Sequence, residues 1–296
     1  MAPKAKAKDE EVKGTAVATS NQNAVAMEFM DASDFGGGFE GTDNESFAIP
    51  FLQILQKMSP LVDEDSPRHI EGLKAGMFYN TVTGQSWEGK EKGVLLIPCA
   101  YKRSFIKWGG REGADGGFQG EYTVEEFEKL LADPTKVATV DGRYYEPDAD
   151  GHVNEKKSSY YADTRSHFVM IIDEQTGEFG TAIMSLASSQ IKASKMLMTA
   201  LNQKKVQTSQ GPKTPPTFAN VVRAKTQGMS NEKGNWSGVK FELEGLVTDP
   251  NLYANAKAFY QDIVKGNVNV DYTKADAAST SGQDDVSDKP KEADGF

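Results

Sequence analysis

Apolar side chains recur at regular spacing through residues 46–270 of this chain and thin out on either side. The regular part opens at "SFAIPFLQILQKMSP", where apolar residues crowd together ahead of Pro60. The run "GLKAGMFYNTVTGQSWEGKEKGVLLIPCAYKRSFIKW" reads as turns and strands: "NTVTGQ" as a turn, then "GVLLIPCAY" and "KRSFIKW" as one long interrupted strand. In "YTVEEFEKLLAD" the spacing switches to that of a helix, with Thr123 and Glu126 as a capping box and Val124, Phe127, Leu130 and Leu131 on one face. "KVATVDGRYYEP" predicts a hairpin around Asp141-Gly142. The clearest hairpin is "HFVMIIDEQTGEFGTAIMSL", two β-rich runs about a Gly-containing turn. A helix follows in "SSQIKASKMLMTALNQKK", with Ile191, Ser194/Lys195, Met198 and Leu201 spaced for one face. "TPPTFANVVRAKTQGM" and "NWSGVKFELEGLVTD" read as two more strands. "DPNLYANAKAFYQDIVKGN" closes the series as a helix capped by Asp249 and stopped at Gly266.

Five or six strands with a helix after the main hairpin predict a mainly β chain with added helices (α+β). An OB-fold-like small antiparallel barrel is one such design, and other α+β sheets give the same string of elements. The expected domains are a disordered segment at 1–45, an OB-like body at 46–270 and an acidic disordered tail at 271–296.

Charge sharpens this division. The 296 residues carry a net charge of −10, but the first 45 hold four Lys against nine Asp/Glu and the last 26 hold three against seven. The body is left near −1, so the overall acidity does not exclude a nucleic-acid partner. Cys99 is the single cysteine; it excludes an internal disulfide, suits a reducing cytoplasm and reads as a small buried hydrophobe. No apolar run spans a bilayer and the N-terminus has no apolar signal core, so a cytoplasmic protein without a membrane partner is expected. His69, His152 and His167 lack metal-ligand spacing, and no phosphate loop, dinucleotide fingerprint or nucleophile elbow is present, so no cofactor, metal or catalytic residue is expected.

Two stretches contain no Asp or Glu at all. The first, Gly93 to Arg111, interleaves Lys102, Arg103, Lys107 and Arg111 with Tyr101, Phe105 and Trp108. The second, Phe179 to Asn231, carries Lys192, Lys195, Lys204, Lys205, Lys213, Arg223 and Lys225. Cations neutralise phosphates and exposed rings stack on bases with little regard to sequence, which is what an unpaired nucleic-acid strand requires. A single ring in a strand reads first as core, and a single lysine on a helix as a solvated group. Excluding carboxylates from whole stretches is not needed for solubility, and points to binding. Arg143, Tyr144, Tyr145, Tyr160, Tyr161 and Arg165 are weaker candidates for the same surface, and Trp236 reads equally as a stacking ring or a core anchor. A metal-dependent nuclease would draw on Asp148 and Glu155 with Lys156 and Lys157, although that segment is polar and turn-like.

The chain ends "DDVSDKPKEADGF". Asp284, Asp285, Asp288, Glu292, Asp294 and the terminal Phe296 resemble the C-terminal tip of single-stranded DNA-binding proteins, both bacterial OB-fold proteins and phage-encoded ones. Gly295 stands where the bacterial tip has Pro. The resemblance implies that the tip docks on replication partners such as a polymerase or helicase-primase, and that its acids compete for the protein's own DNA groove. The body is loosely similar to phage early proteins with a "G..LIPCAY.R.F..W" core, often placed beside replication genes. The expected function is sequence-independent single-stranded DNA binding in replication or recombination, with self-association compatible. A phage structural or assembly protein is the alternative from another class.

Overall fold

The computed structural model of the protein describes residues 31, 33, 34, 37–42, 48–110, 112, 113, 116–232 and 234–275. The chain divides into two compact units, residues 1–47 and 48–296. In the first, the described residues make short turns, with the Gly37 N–H donating to the Asp34 carbonyl at 3.0 Å. All further description concerns the second unit.

It begins with a small antiparallel sheet of β1 (Leu52–Ile54), β2 (Phe78–Asn80) and β3 (Ser86–Trp87). The long β4 (Val94–Trp108) then founds the main sheet. Between Pro98 and Ala100 its register slips at a bulge, which lets a residue without an N–H sit in a central strand. The expected interrupted strand is thus one strand with a kink. β5 (Phe118–Thr123) folds back on the end of β4. It leads into α1 (Val124–Leu131), whose capping box is formed as expected: the Glu126 N–H donates to Thr123 Oγ1 at 3.2 Å, and the Thr123 N–H to Glu126 Oε2 at 2.8 Å. β6 (Ala138–Val140) and β7 (Arg143–Tyr145) form the short hairpin. Asp141 and Gly142 both take positive φ, 49° and 75°, the geometry a two-residue hairpin turn requires.

β8 (Tyr160–Ile172) and β9 (Phe179–Ala187) make the main hairpin, with β8 also pairing along β4. After α2 (Ile191–Gln203) and the small hairpin β10 (Val206–Thr208) and β11 (Gly211–Lys213) come β12 (Asn220–Asn231) and β13 (Gly234–Leu246). The five long strands lie in the order β13-β12-β4-β8-β9, antiparallel throughout, as a curled half-barrel. The stretch around β1 crosses the gap between the two edges. The Ile183 N–H on β9 donates to the Pro50 carbonyl at 2.9 Å, and Gln56 exchanges two hydrogen bonds with the Ser237 backbone on β13. α3 (Pro250–Val264) is capped by Asp249, which accepts from the Asn251 N–H at 2.7 Å, and its exit turns at Gly266 with φ 76°.

Alternation along the strands feeds two cores, one on each face. The inner face gathers Leu52, Ile54, Phe78, Val94, Leu96, Val169, Ile171, Ala182, Met184, Ala224 and Val239, so β1, β2 and all five long strands contribute. The outer face of β4, β8 and β9 puts Ile97, Cys99, Phe168, Met170 and Ile183 under Phe218, Ala256, Phe259 and Tyr272. The packed chain therefore runs past Val270. Tyr272 is 2% exposed, stacks on Phe118 at 5.3 Å between ring centroids, and its hydroxyl donates to Glu121 Oε1 at 3.3 Å. The stripe that α2 buries is also rotated from the expected one. Ser194, Leu197 and Leu201 point inward, Lys195 is exposed and Met198 is half-buried, because Leu197 and Leu201 pack on Val222 of β12.

Candidate nucleic-acid interface

Toward the start of β8 the inner face turns polar. Residues two apart share a face, so Asp163, Arg165 and His167 continue the row of Val169 and Ile171 beyond the apolar core. The antiparallel register sets Tyr101 opposite His167, Arg103 opposite Arg165 and Phe105 opposite Asp163, which puts the β4 residues on that same face. At this mouth of the half-barrel the two acid-free stretches of the sequence meet. The Tyr101 ring lies 5.2 Å from the His167 ring, and His167 Nε2 is 2.7 Å from Ser194 Oγ on α2. Burial pushes the His167 imidazole down to about 4, so it is neutral at neutral pH and adds no charge.

Tyr101 is 39% exposed and offers a ring at the surface. Arg103 is held by Asp163, Nε to Oδ1 at 3.1 Å and Nη2 to Oδ2 at 2.9 Å, and this pairing raises its guanidinium further above its ordinary range. Arg165, buried beside it, donates from Nη2 to the same carboxylate at 3.0 Å. On α2, Lys192 and Lys195 are exposed and form no ion pair with a described residue. The helix start adds to their potential: its first turn holds no acidic residue and no side chain caps its N–H groups.

The remaining candidates disperse. Phe105 is buried, stacked on Phe127 of α1 at 3.7 Å, so its ring packs the cluster with Val137 and Tyr161 and presents no face to a base. Trp108 is half-buried, edge-on to Phe118. Lys102 pairs with Glu121 at 2.9 Å and Lys107 with Glu146 at 2.7 Å. Arg223 bonds Glu174 and Glu244, and Lys225 bonds Glu242. Lys204 donates to the Gly245 carbonyl at 2.8 Å, and Lys205 to the Thr214 hydroxyl and the Asn202 carbonyl. Arg111 and the C-terminal group Asp284, Asp285, Asp288, Glu292, Asp294 and Phe296 lie outside the described residues. A stretch free of acid along the chain is thus not free of acid in space, because strand pairing and turns bring carboxylates from elsewhere.

Asp163 is the residue that sequence reasoning missed, and Arg165 and His167 were undervalued. Their signal was the alternation Asp-Thr-Arg-Ser-His ahead of an apolar run, three polar groups on a face that then becomes core. Elsewhere, Trp236 is buried against a pocket of about 440 Å³ edged by Lys57, Lys90 and Met229. Asp148, Asp150 and His152 are exposed together in a turn where Asp148 Oδ1 already accepts two backbone N–H bonds, and Glu155 is exposed nearby in sequence. Cys99 is buried, with its thiol pushed up to about 12. Among the described residues no helix is long and apolar enough to cross a membrane.

Neither the curated proteins nor the solved structures contain a match to this chain. One family model, described as Pam3 phage gp34-like protein, matches residues 19–269, which takes in every strand and helix described above. The chain therefore belongs to the Pam3 phage gp34-like protein family and is a bacteriophage protein.

Proposed function

We propose that this protein binds single-stranded DNA without sequence preference during phage DNA replication or recombination, at the mouth of the half-barrel. The observation that carries the reading is the meeting at His167 of two stretches far apart in the chain, which leaves Tyr101, Arg103, Lys192 and Lys195 exposed on adjoining elements. A ring to stack on and cations for the flanking phosphates are the minimum a sequence-tolerant site needs. The acids of the C-terminal tip are assigned to the recruitment of replication proteins.

We read the body as a variant of the OB design. Five long antiparallel strands in a curled half-barrel support this reading; in the OB design the face of strands two and three binds oligonucleotides. Here the outer face of β8 and β9 lies beneath α3 and Tyr272, so the strand is assigned to the mouth instead.

Titration of labelled oligo-dT with the full chain at two salt concentrations tests the reading. Contacts from Arg103, Lys192 and Lys195 predict a slope of log affinity against log salt of about −2. No binding at low salt, or binding indifferent to salt, would sink it.

A further inference from the structure

Arg165 is 6% exposed, yet its Nε has no hydrogen-bond partner, an unfavourable state for a buried charged donor. Its Nη2 reaches Asp163 Oδ2 at 3.0 Å. Arg103 occupies both oxygens of that carboxylate, using its Nε and Nη2 together. These two nitrogens form one edge of a guanidinium; of that edge in Arg165, Nη2 is engaged by Asp163 and Nε is not. The second oxygen of that carboxylate, Oδ1, accepts from Arg103 Nε. Of the two arginines, Arg103 is the accessible one, with 39% of its side chain exposed against 8% for Arg165.

We infer that Arg103, Asp163 and Arg165 form a phosphate-exchange site. Arg103 leaves Asp163 to grip a phosphodiester of the bound strand, and Arg165 closes its free Nε on the oxygen that Arg103 vacates. This rests on the single-stranded DNA reading above and adds a device to it. Without Arg165, the departure of Arg103 would leave a bare carboxylate beside an incoming phosphate. With it, the carboxylate goes from three donors and two cationic partners to two donors and one, and is never bare. Arg103 is then the phosphate ligand, and Arg165 is a positioning residue that never touches DNA.

The test is oligo-dT titration of the full chain at several salt concentrations, with thermal melting to check folding. Arg103→Gln is expected to weaken binding and make the salt slope shallower by about 0.7. Asp163→Asn releases Arg103 and is expected to tighten binding about two- to fivefold, the scale of an exposed ion pair. Arg165→Gln is expected to weaken binding with the slope unchanged, and adding Asp163→Asn to it should restore wild-type affinity. A shallower slope for Arg165→Gln, failure of the double variant to recover, or weaker or unchanged binding by Asp163→Asn overturns the inference. Should Arg165→Gln not fold, the Asp163→Asn result alone decides. Wild-type protein that ignores oligo-dT removes the binding reading and this inference with it. Wild-type binding that Arg103→Gln leaves intact removes the inference alone.

Discussion

At the scale of the residue, His167 shows how one group serves both stability and the site. Its ring is buried between Tyr101 and Ser194 and stays neutral down to about pH 4, whereas in the unfolded chain it takes up a proton near 6.5. Between those values the unfolded state binds the extra proton, so stability should fall as pH drops from about 6.5 to about 4, by up to about 3 kcal/mol. Thermal midpoints across that range, compared with His167→Gln, measure this contribution; parallel curves for the two proteins would contradict it. His167 is 1% exposed and packs as a core residue. Its further role in joining β4 to α2 depends on Ser194, 27 residues on, which no local pattern announces. Phe105 makes the converse point. Strand alternation puts it on the face of Tyr101 and Arg103, but only the docking of α1 decides that its ring is covered.

At the scale of the element, α2 divides its work by face. Leu197 packs toward Val222 while Lys195 points outward. Leu197→Ala should therefore cost about 2–5 kcal/mol of stability. Lys195→Ala should leave the melting midpoint within about a degree or two, since exposed charges change stability little, yet make the dT salt slope shallower. Equal losses of stability in the two variants would place the helix differently. The loop before β4 is fixed by a tighter constraint. A Cβ on Gly89 would stand 2.0 Å from the Gly76 carbonyl oxygen and 2.4 Å from Thr226 Oγ1. Both neighbours are tied down: Thr226 Oγ1 donates to the Gly76 carbonyl at 2.7 Å, and the Thr226 N–H to the Gly89 carbonyl at 2.8 Å. Gly89→Ala should cost about 1–3 kcal/mol, read in a urea melt as a lower midpoint.

At the scale of the whole molecule, the packing of Tyr272 distinguishes two C-terminal deletions. Residues 276–296 carry −4 of the net −10. On the proposed reading, removing them should tighten oligo-dT binding at low salt and leave the melting temperature in place. Cutting at residue 271 instead also removes Tyr272, whose ring fills the outer core against Phe118 and Phe51. That deletion should lower stability by about 3–5 kcal/mol, the scale of losing a buried aromatic ring. Unchanged affinity after the shorter deletion would show that the acids do not compete for the site.

Local order was written in the sequence. The capping box, the Asp141-Gly142 turn and the main hairpin with its following helix depend on neighbours within a few residues, and each formed where its pattern stood. Segregation of charge along the chain was equally plain, but charge acts through space. The register of β4 on β8, the carboxylates arriving from Glu121, Glu146, Glu174, Glu242 and Glu244, and the covering of the outer face by α3 were decided by tertiary packing. An electrostatic surface is a sum over atoms near in space, and most of those atoms come from segments remote in sequence.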